Sequence, residues 1–255
     1  MRVIDLYEAL EQSIPRSLSC EWDHDGLMVC PDPDLEVRRA LVCLDPTDRM
    51  MEYAIRHDCQ VILCHHPLLF HGLQALDPRD GLAQKCMDMV QNRVAVFSFH
   101  TRLDALPGGV NDCLAQTIGL QRVEPFLSEG LPIGRIGEWT RGGTLSDFLE
   151  HVKTVLHVPV LRVGDAGKAP YRVAILGGSG KDDVENAKAA GADTFLSGEL
   201  GYHQLTDAAY TGMNLIAAGH FFTEDPVCAA LERMLRDLDS SMDVVYQNSN
   251  RVNWI

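Results

Sequence analysis

Hydrophobic and polar positions along the chain switch between two periods. Ile4, Leu6 and Leu10 space a helical stripe over 3–12. "RRALVCLD" (38–45) then reads as a buried strand and "RMMEYAIRHD" (49–58) as a helix. "VILC" (61–64) predicts a second strand, "GLAQKCMDMVQN" (81–92) a helix, and "VAVFSF" (94–99) a third strand. Strands and helices in turn on this scale predict a sheet of parallel strands with helical crossovers. The stretch 125–170 is punctuated by Gly and Pro and holds one clear helix, "LSDFLEHVKTVL" (145–156); it reads as a bridging segment. The pattern then restarts: strand 171–176, helix 183–191, strand 193–198, helix 203–212, strand 214–219.

The two runs line up unit by unit. In the first, the strands are followed by His65-His66 and then by His100-x-x-x-Asp104. In the second they are followed by Ser197-Gly198-Glu199 and then by His220-x-x-x-Glu224. The expectation is an α/β fold of two related lobes, 1–124 and 125–255, with mixed, largely parallel sheets flanked by helices. In both lobes the polar residues stand just past the carboxyl ends of apolar strands, the edge at which open α/β sheets bind ligands.

Four histidines and two carboxylates at equivalent strand ends suggest a metal centre. If the chain turns helically after Phe99, residues four apart share a face, so His100 and Asp104 reach one point, and His220 and Glu224 do the same. Imidazole with carboxylate suits borderline divalent ions such as zinc, manganese or iron. The set is large enough for two ions with one carboxylate bridging them, an arrangement that activates water and clamps an oxyanion or phosphate. Each element alone has a plainer reading, since HxxxD and HxxxE arise by chance and buried histidines often only hydrogen-bond. Three elements at matching positions of a repeated pattern turn the balance toward metal.

Composition narrows the setting. A net charge of −14 over 255 residues counts against nucleic acid as a partner and leaves a small-molecule substrate. The eight cysteines include no CxxC pair, which suits reduced thiols in a cytoplasmic protein rather than a disulfide framework or a zinc knot. No apolar run reaches the roughly 20 residues of a membrane span, and the acidic N-terminus reads as a helix rather than a leader.

Other motifs are weaker. "GGSGKDD" (177–183) lacks the order of a phosphate-binding loop and reads as a tight strand-to-helix turn. Ser179 has no nucleophile elbow around it. Asp225-Pro226 offers a helix start. Spacing alone leaves His24, in "WDHDGLMV", and His203 open between surface and pocket roles.

Taken together, "WDHDGLMV", "HHPLLF", "HTRLDALPGGVND", "SGELGYH" and "GHFFTE" resemble the Nif-three-like family, the GTP cyclohydrolase I type 2 homologues, in the family's order from residue 22 to 224. The resemblance implies a dinuclear metal site in the cleft between two α/β lobes, and a ring-shaped homohexamer. It implies His65, His66, Asp104, His220 and Glu224 as metal ligands, with Glu224 bridging. His100 matches a family position near the metals, as ligand or as acid–base residue. Cys30, Arg102, Phe221 and Phe222 depart from the family pattern, but none removes a ligand.

The expected function is a metal-dependent hydrolase of a nucleotide-like or phosphorylated small molecule, with His100 or Glu199 shuttling the proton. The alternative is a non-catalytic metal-binding scaffold, a ring that presents surfaces to other proteins.

Overall fold

The computed structural model describes residues 1–253. The chain divides into two compact units, residues 1–103 with 228–251, and residues 104–227 with 252 and 253. The last two residues of the expected second lobe, 254 and 255, lie outside the described residues.

The first unit opens with helix α1 (Val3–Ser13), which buries Val3, Leu6 and Leu10 along one stripe. There follow β1 (Gly26–Val29), β2 (Arg39–Cys43), α2 (Asp48–Arg56), β3 (Val61–Cys64), α3 (Gly81–Gln91) and β4 (Ala95–Ser98). Asp80 caps α3 by accepting the backbone N–H groups of Leu82 and Ala83, which satisfies donors the helix start would leave open. The chain turns helically after Phe99 as expected, into the short α4 (Thr101–Ala105), within which the first unit gives way to the second.

The second unit runs through α5 (Val110–Ile118), β5 (Gln121–Ser128), β6 (Leu131–Glu138), α6 (Leu145–Leu156), β7 (Arg162–Gly164) and β8 (Arg172–Ser179). It continues with α7 (Val184–Ala189), β9 (Thr194–Glu199), α8 (Tyr202–Thr206), α9 (Ala208–Thr211), β10 (Asn214–Ala217) and α10 (His220–Glu224). A 3-10 turn at Asp225–Val227 precedes α11 (Cys228–Leu238), so Asp225-Pro226 begins that turn and not the helix itself. Strand β11 (Asp243–Tyr246) returns to the first unit.

The first sheet has the order β1-β4-β3-β2-β11. Three of its four joins are parallel, and only edge strand β1 runs antiparallel. The second has the order β5-β6-β8-β9-β10-β7, with parallel joins confined to β8-β9-β10. "Largely parallel" therefore holds for the first sheet and fails for the second, where the expected bridging segment supplies three antiparallel strands. Against the expected lobes 1–124 and 125–255, residues 104–124 group with the second unit, and β11, paired in parallel with β2, carries the C-terminal segment into the first. No helix among the described residues is long and apolar enough to cross a membrane.

Each unit buries its own apolar core. In the first, α2 and α3 place Met50, Met51, Cys86 and Met89 against Leu41, Ile62 and Val96 of the sheet. In the second, α5 and α6 place Leu114, Phe148 and Val152 against Val173, Ile175, Leu196 and Ile216. Register is then fixed, since a one-residue slip would turn these side chains to the wrong face. Cys43 pairs with Cys64 and Cys64 with Ser98, so three strands end level. Ala217, Ser197 and Leu176 are likewise level in the other sheet.

Candidate metal centre

Level strand ends deliver the histidines of the first unit to one place. His65 and His66 follow β3, and both backbone N–H groups donate to the carbonyl of Leu44, just past β2. His100 follows β4 and Phe99. The three rings lie 4.9, 5.3 and 5.8 Å apart by centroid, and one ligand nitrogen from each falls within 4.8 Å of the others.

Their tautomers follow from their neighbours. His65 Nδ1 is 2.9 Å from the carbonyl oxygen of Phe99, which can only accept. His66 Nδ1 is 2.6 Å from Asp45 Oδ1, and His100 Nδ1 is 3.1 and 3.2 Å from the two oxygens of Asp23. In all three rings Nδ1 donates, so a neutral imidazole carries its lone pair on Nε2. This is the arrangement by which a protein orients a metal-ligating histidine.

Asp23 is buried and also accepts the backbone N–H and hydroxyl of Thr101, at 3.0 and 2.6 Å. Burial pushes its carboxyl up, but hydrogen bonds from His100 and Thr101 outweigh that and hold it well below the usual carboxylate range. Asp25 accepts the backbone N–H of His100 at 2.8 Å and Nε of the buried Arg102 at 3.0 Å.

In the second unit, α10 brings His220 and Glu224 to one face, with Nε2 and Oε2 3.1 Å apart. His220 Nδ1 faces Glu199 Oε1 at 3.0 Å. If Nδ1 donates to Glu199, the Nε2 lone pair and the Glu224 oxygen oppose each other, and a cation between them resolves the contact. Carboxylate oxygens of Asp104 and Glu224 also lie within 4.8 Å of each other. Glu224 is thus common to both neighbours. Nitrogen and carboxylate donors of this kind fit divalent zinc, manganese or iron.

The GGSGKDD segment serves this site rather than forming only a turn. β8 continues through Gly177 and Gly178 to Ser179 with a break in register. A Cβ at Gly178 would lie 2.2 Å from Glu224 Oε1, and Gly178 adopts φ +66°. Buried Asn111 accepts the N–H of Gly177 at 2.8 Å and donates to the carbonyl of Asp104 at 3.3 Å.

The expected site residues therefore gather in two groups, His65, His66 and His100 in the first unit and Asp104, Glu199, His220 and Glu224 in the second. His24 and His203 are exposed and belong to neither. Asp23, Asp45, Asn111 and Gly178 are additions. Asp45 had a readable signal, because it follows β2 as the histidines follow β3 and β4.

In both units histidines and carboxylates that could hold a metal ion stand past the ends of parallel strands, which marks an α/β protein with a candidate metal site. The chain belongs to the DUF34/NIF3 family (NGG1p interacting factor 3), whose profile matches residues 1–251. It is 31% identical over 252 residues to a Clostridium perfringens protein named GTP cyclohydrolase 1 type 2 homolog, covering 96% of this chain and 95% of that one. A Nostoc protein of the same name is 33% identical over 244 residues, covering 94% and 93%. A Staphylococcus aureus crystal structure matches with a TM-score of 0.88 at 26% identity over 100% of this chain and 99% of that one. A Bacillus cereus protein related to NIF3 shares the fold, with a TM-score of 0.90 at 22% identity over 100% and 99%.

Proposed function

We propose that this protein is a dinuclear metal-dependent hydrolase of a nucleotide-like or otherwise phosphorylated small molecule. In this reading His65 and His66 of the first unit join Asp104, His220 and Glu224 of the second in holding two divalent ions, zinc, manganese or iron. Glu224 is the bridging carboxylate. The observation that carries the reading is the pair of Nδ1–H donations, from His65 to the Phe99 carbonyl and from His66 to Asp45, which turns both Nε2 lone pairs to metal use. When bound, the ions supply Lewis acidity and an acidified water.

The chain's own groups do the rest. His100 is held on Asp23, so its Nε2 is the atom that takes or returns a proton. Glu199, with a side chain 59% exposed, orients His220 through Nδ1 and offers a carboxylate to the same task. The name GTP cyclohydrolase 1 type 2 homolog carried by relatives agrees with a nucleotide-like substrate. The acidic balance favours a small molecule over nucleic acid. Eight free cysteines suit a cytoplasmic setting. The family resemblance extends the proposal to a homohexamer, measured as a sedimentation mass of six chains.

Elemental analysis and turnover of His66→Ala and Glu224→Ala test the reading. The wild-type protein is expected to hold divalent metal and hydrolyse a nucleotide; each variant, still folded by circular dichroism, should lose metal and turnover together. A folded His66→Ala protein with full metal content and turnover would sink it. The gentler Asp23→Asn keeps the shape of the group that holds His100 but removes its charge. It should lower turnover about 10-fold or more while metal content, read by elemental analysis, stays at the wild-type level.

A further inference from the structure

An aromatic surface beside the histidine cluster of the first unit is left unused by metal chemistry. Trp22 and Phe70 are each 49% exposed, although large aromatic side chains gain most from burial. Their ring centroids are 6.2 Å apart, and they stand 6.0 and 6.2 Å from the ring of His100. Both meet that ring near edge-on, at 71° and 77°. His71 braces Phe70 from another side, with centroids 5.0 Å apart at 77°.

Position matters more here than exposure alone. His100 is fixed by Asp23 through Nδ1 and by Asp25 through its backbone, so the wall is anchored to a ring whose place is set. Histidines and carboxylates around a cation recognise anionic oxygens; they offer nothing to a flat, weakly polar group. Trp22 and Phe70 supply that recognition, because every heteroaromatic base has a π-face that stacks on such rings.

We propose that Trp22 and Phe70 form a stacking wall for the planar heteroaromatic ring of the substrate. The substrate class is then a base joined to an anionic group, not a plain sugar phosphate. The proposal rests on the hydrolase reading and adds to it which part of the substrate each half of the site recognises.

The test compares guanosine monophosphate with ribose 5-phosphate, which share sugar and phosphate and differ by the base. Calorimetric titration of the metal-loaded protein should show the nucleotide binding about 10-fold or more tighter, with quenching of Trp22 fluorescence. In Trp22→Leu and Phe70→Leu that preference should shrink toward unity. Overturning results are equal affinity of the two ligands for the wild-type protein, no binding of the nucleotide, or a base preference that survives both substitutions. Elemental analysis of the same samples keeps the two readings apart. Metal-free wild-type protein would sink the hydrolase reading, whereas a preference that persists in both variants with metal in place sinks only the wall.

Discussion

Replacing Arg102 with methionine is expected to lower the free energy of unfolding by about 3–5 kcal/mol, the usual cost of stranding one partner of a buried ion pair. The Arg102 side chain is fully buried. Its guanidinium donates to Asp25 at 3.0 Å, to Glu11 at 2.7 Å and to the carbonyl of Ile14 at 3.0 Å, and lies 4.6 Å above the Phe99 ring. Methionine fills much of the stem but leaves Asp25, whose side chain has no exposed surface, without its counter-charge. The departure from the family pattern at 102 thus comes with partners of its own.

The sign of the pH dependence follows from Glu11. Burial pushes its carboxyl up, but hydrogen bonds from Arg102 and Tyr7 outweigh that and set it below its ordinary value. A lowered carboxyl stabilises the fold above its unfolded pKa, and that contribution is lost as pH falls through the carboxylate range. The variant loses the Arg102 part of that stabilisation, and a protonated Glu11 needs no counter-charge. The gap between the two proteins should therefore narrow from neutral pH to about pH 4. Urea unfolding at both pH values measures it. An unchanged gap would assign the role of Arg102 to packing over Phe99.

What the sequence disclosed and what it concealed have a common cause. β3 is apolar at all four positions and buried at all four, and α6 carries a helical stripe between Thr144 and His157; both were legible with the bounds observed. β5 was not, because its first five residues are exposed and give no alternation. Its Pro125 is tolerated because β5 is the edge strand of its sheet. The pairing of β11 with β2 joins residues about 200 positions apart, which no local pattern reports. The ligand candidates were readable as residue types at strand ends. Of their orienting partners, Asp45 shares that strand-end position, but Asp23 was not readable, since it meets His100 only through the fold.

Gly178→Ala should weaken metal binding about 10-fold or more without touching a ligand. The new Cβ would lie 2.2 Å from Glu224 Oε1, 3.1 Å from its Cδ and 3.2 Å from His220 Nε2. The Glu224 side chain is nearly buried, 6% exposed, and has little room to retreat. Relief comes from turning the carboxylate away, and with it the oxygen 3.1 Å from His220 Nε2. The backbone adds its own cost, because φ is +66° and an L side chain there loses roughly 1–2 kcal/mol. Gly191→Ala separates the two effects. Its φ is +88° and nothing lies within 4 Å of its Cβ, so it carries the conformational cost without the collision. Calorimetric titration of zinc or manganese into chelator-stripped protein should find Gly191→Ala binding like wild type and Gly178→Ala binding weakly, while urea unfolding shows both destabilised. Equal metal affinity in the two variants would remove Glu224 from the ligand set. A selective loss in Gly178→Ala would explain why the strand leading to this edge carries two glycines just before its last residue.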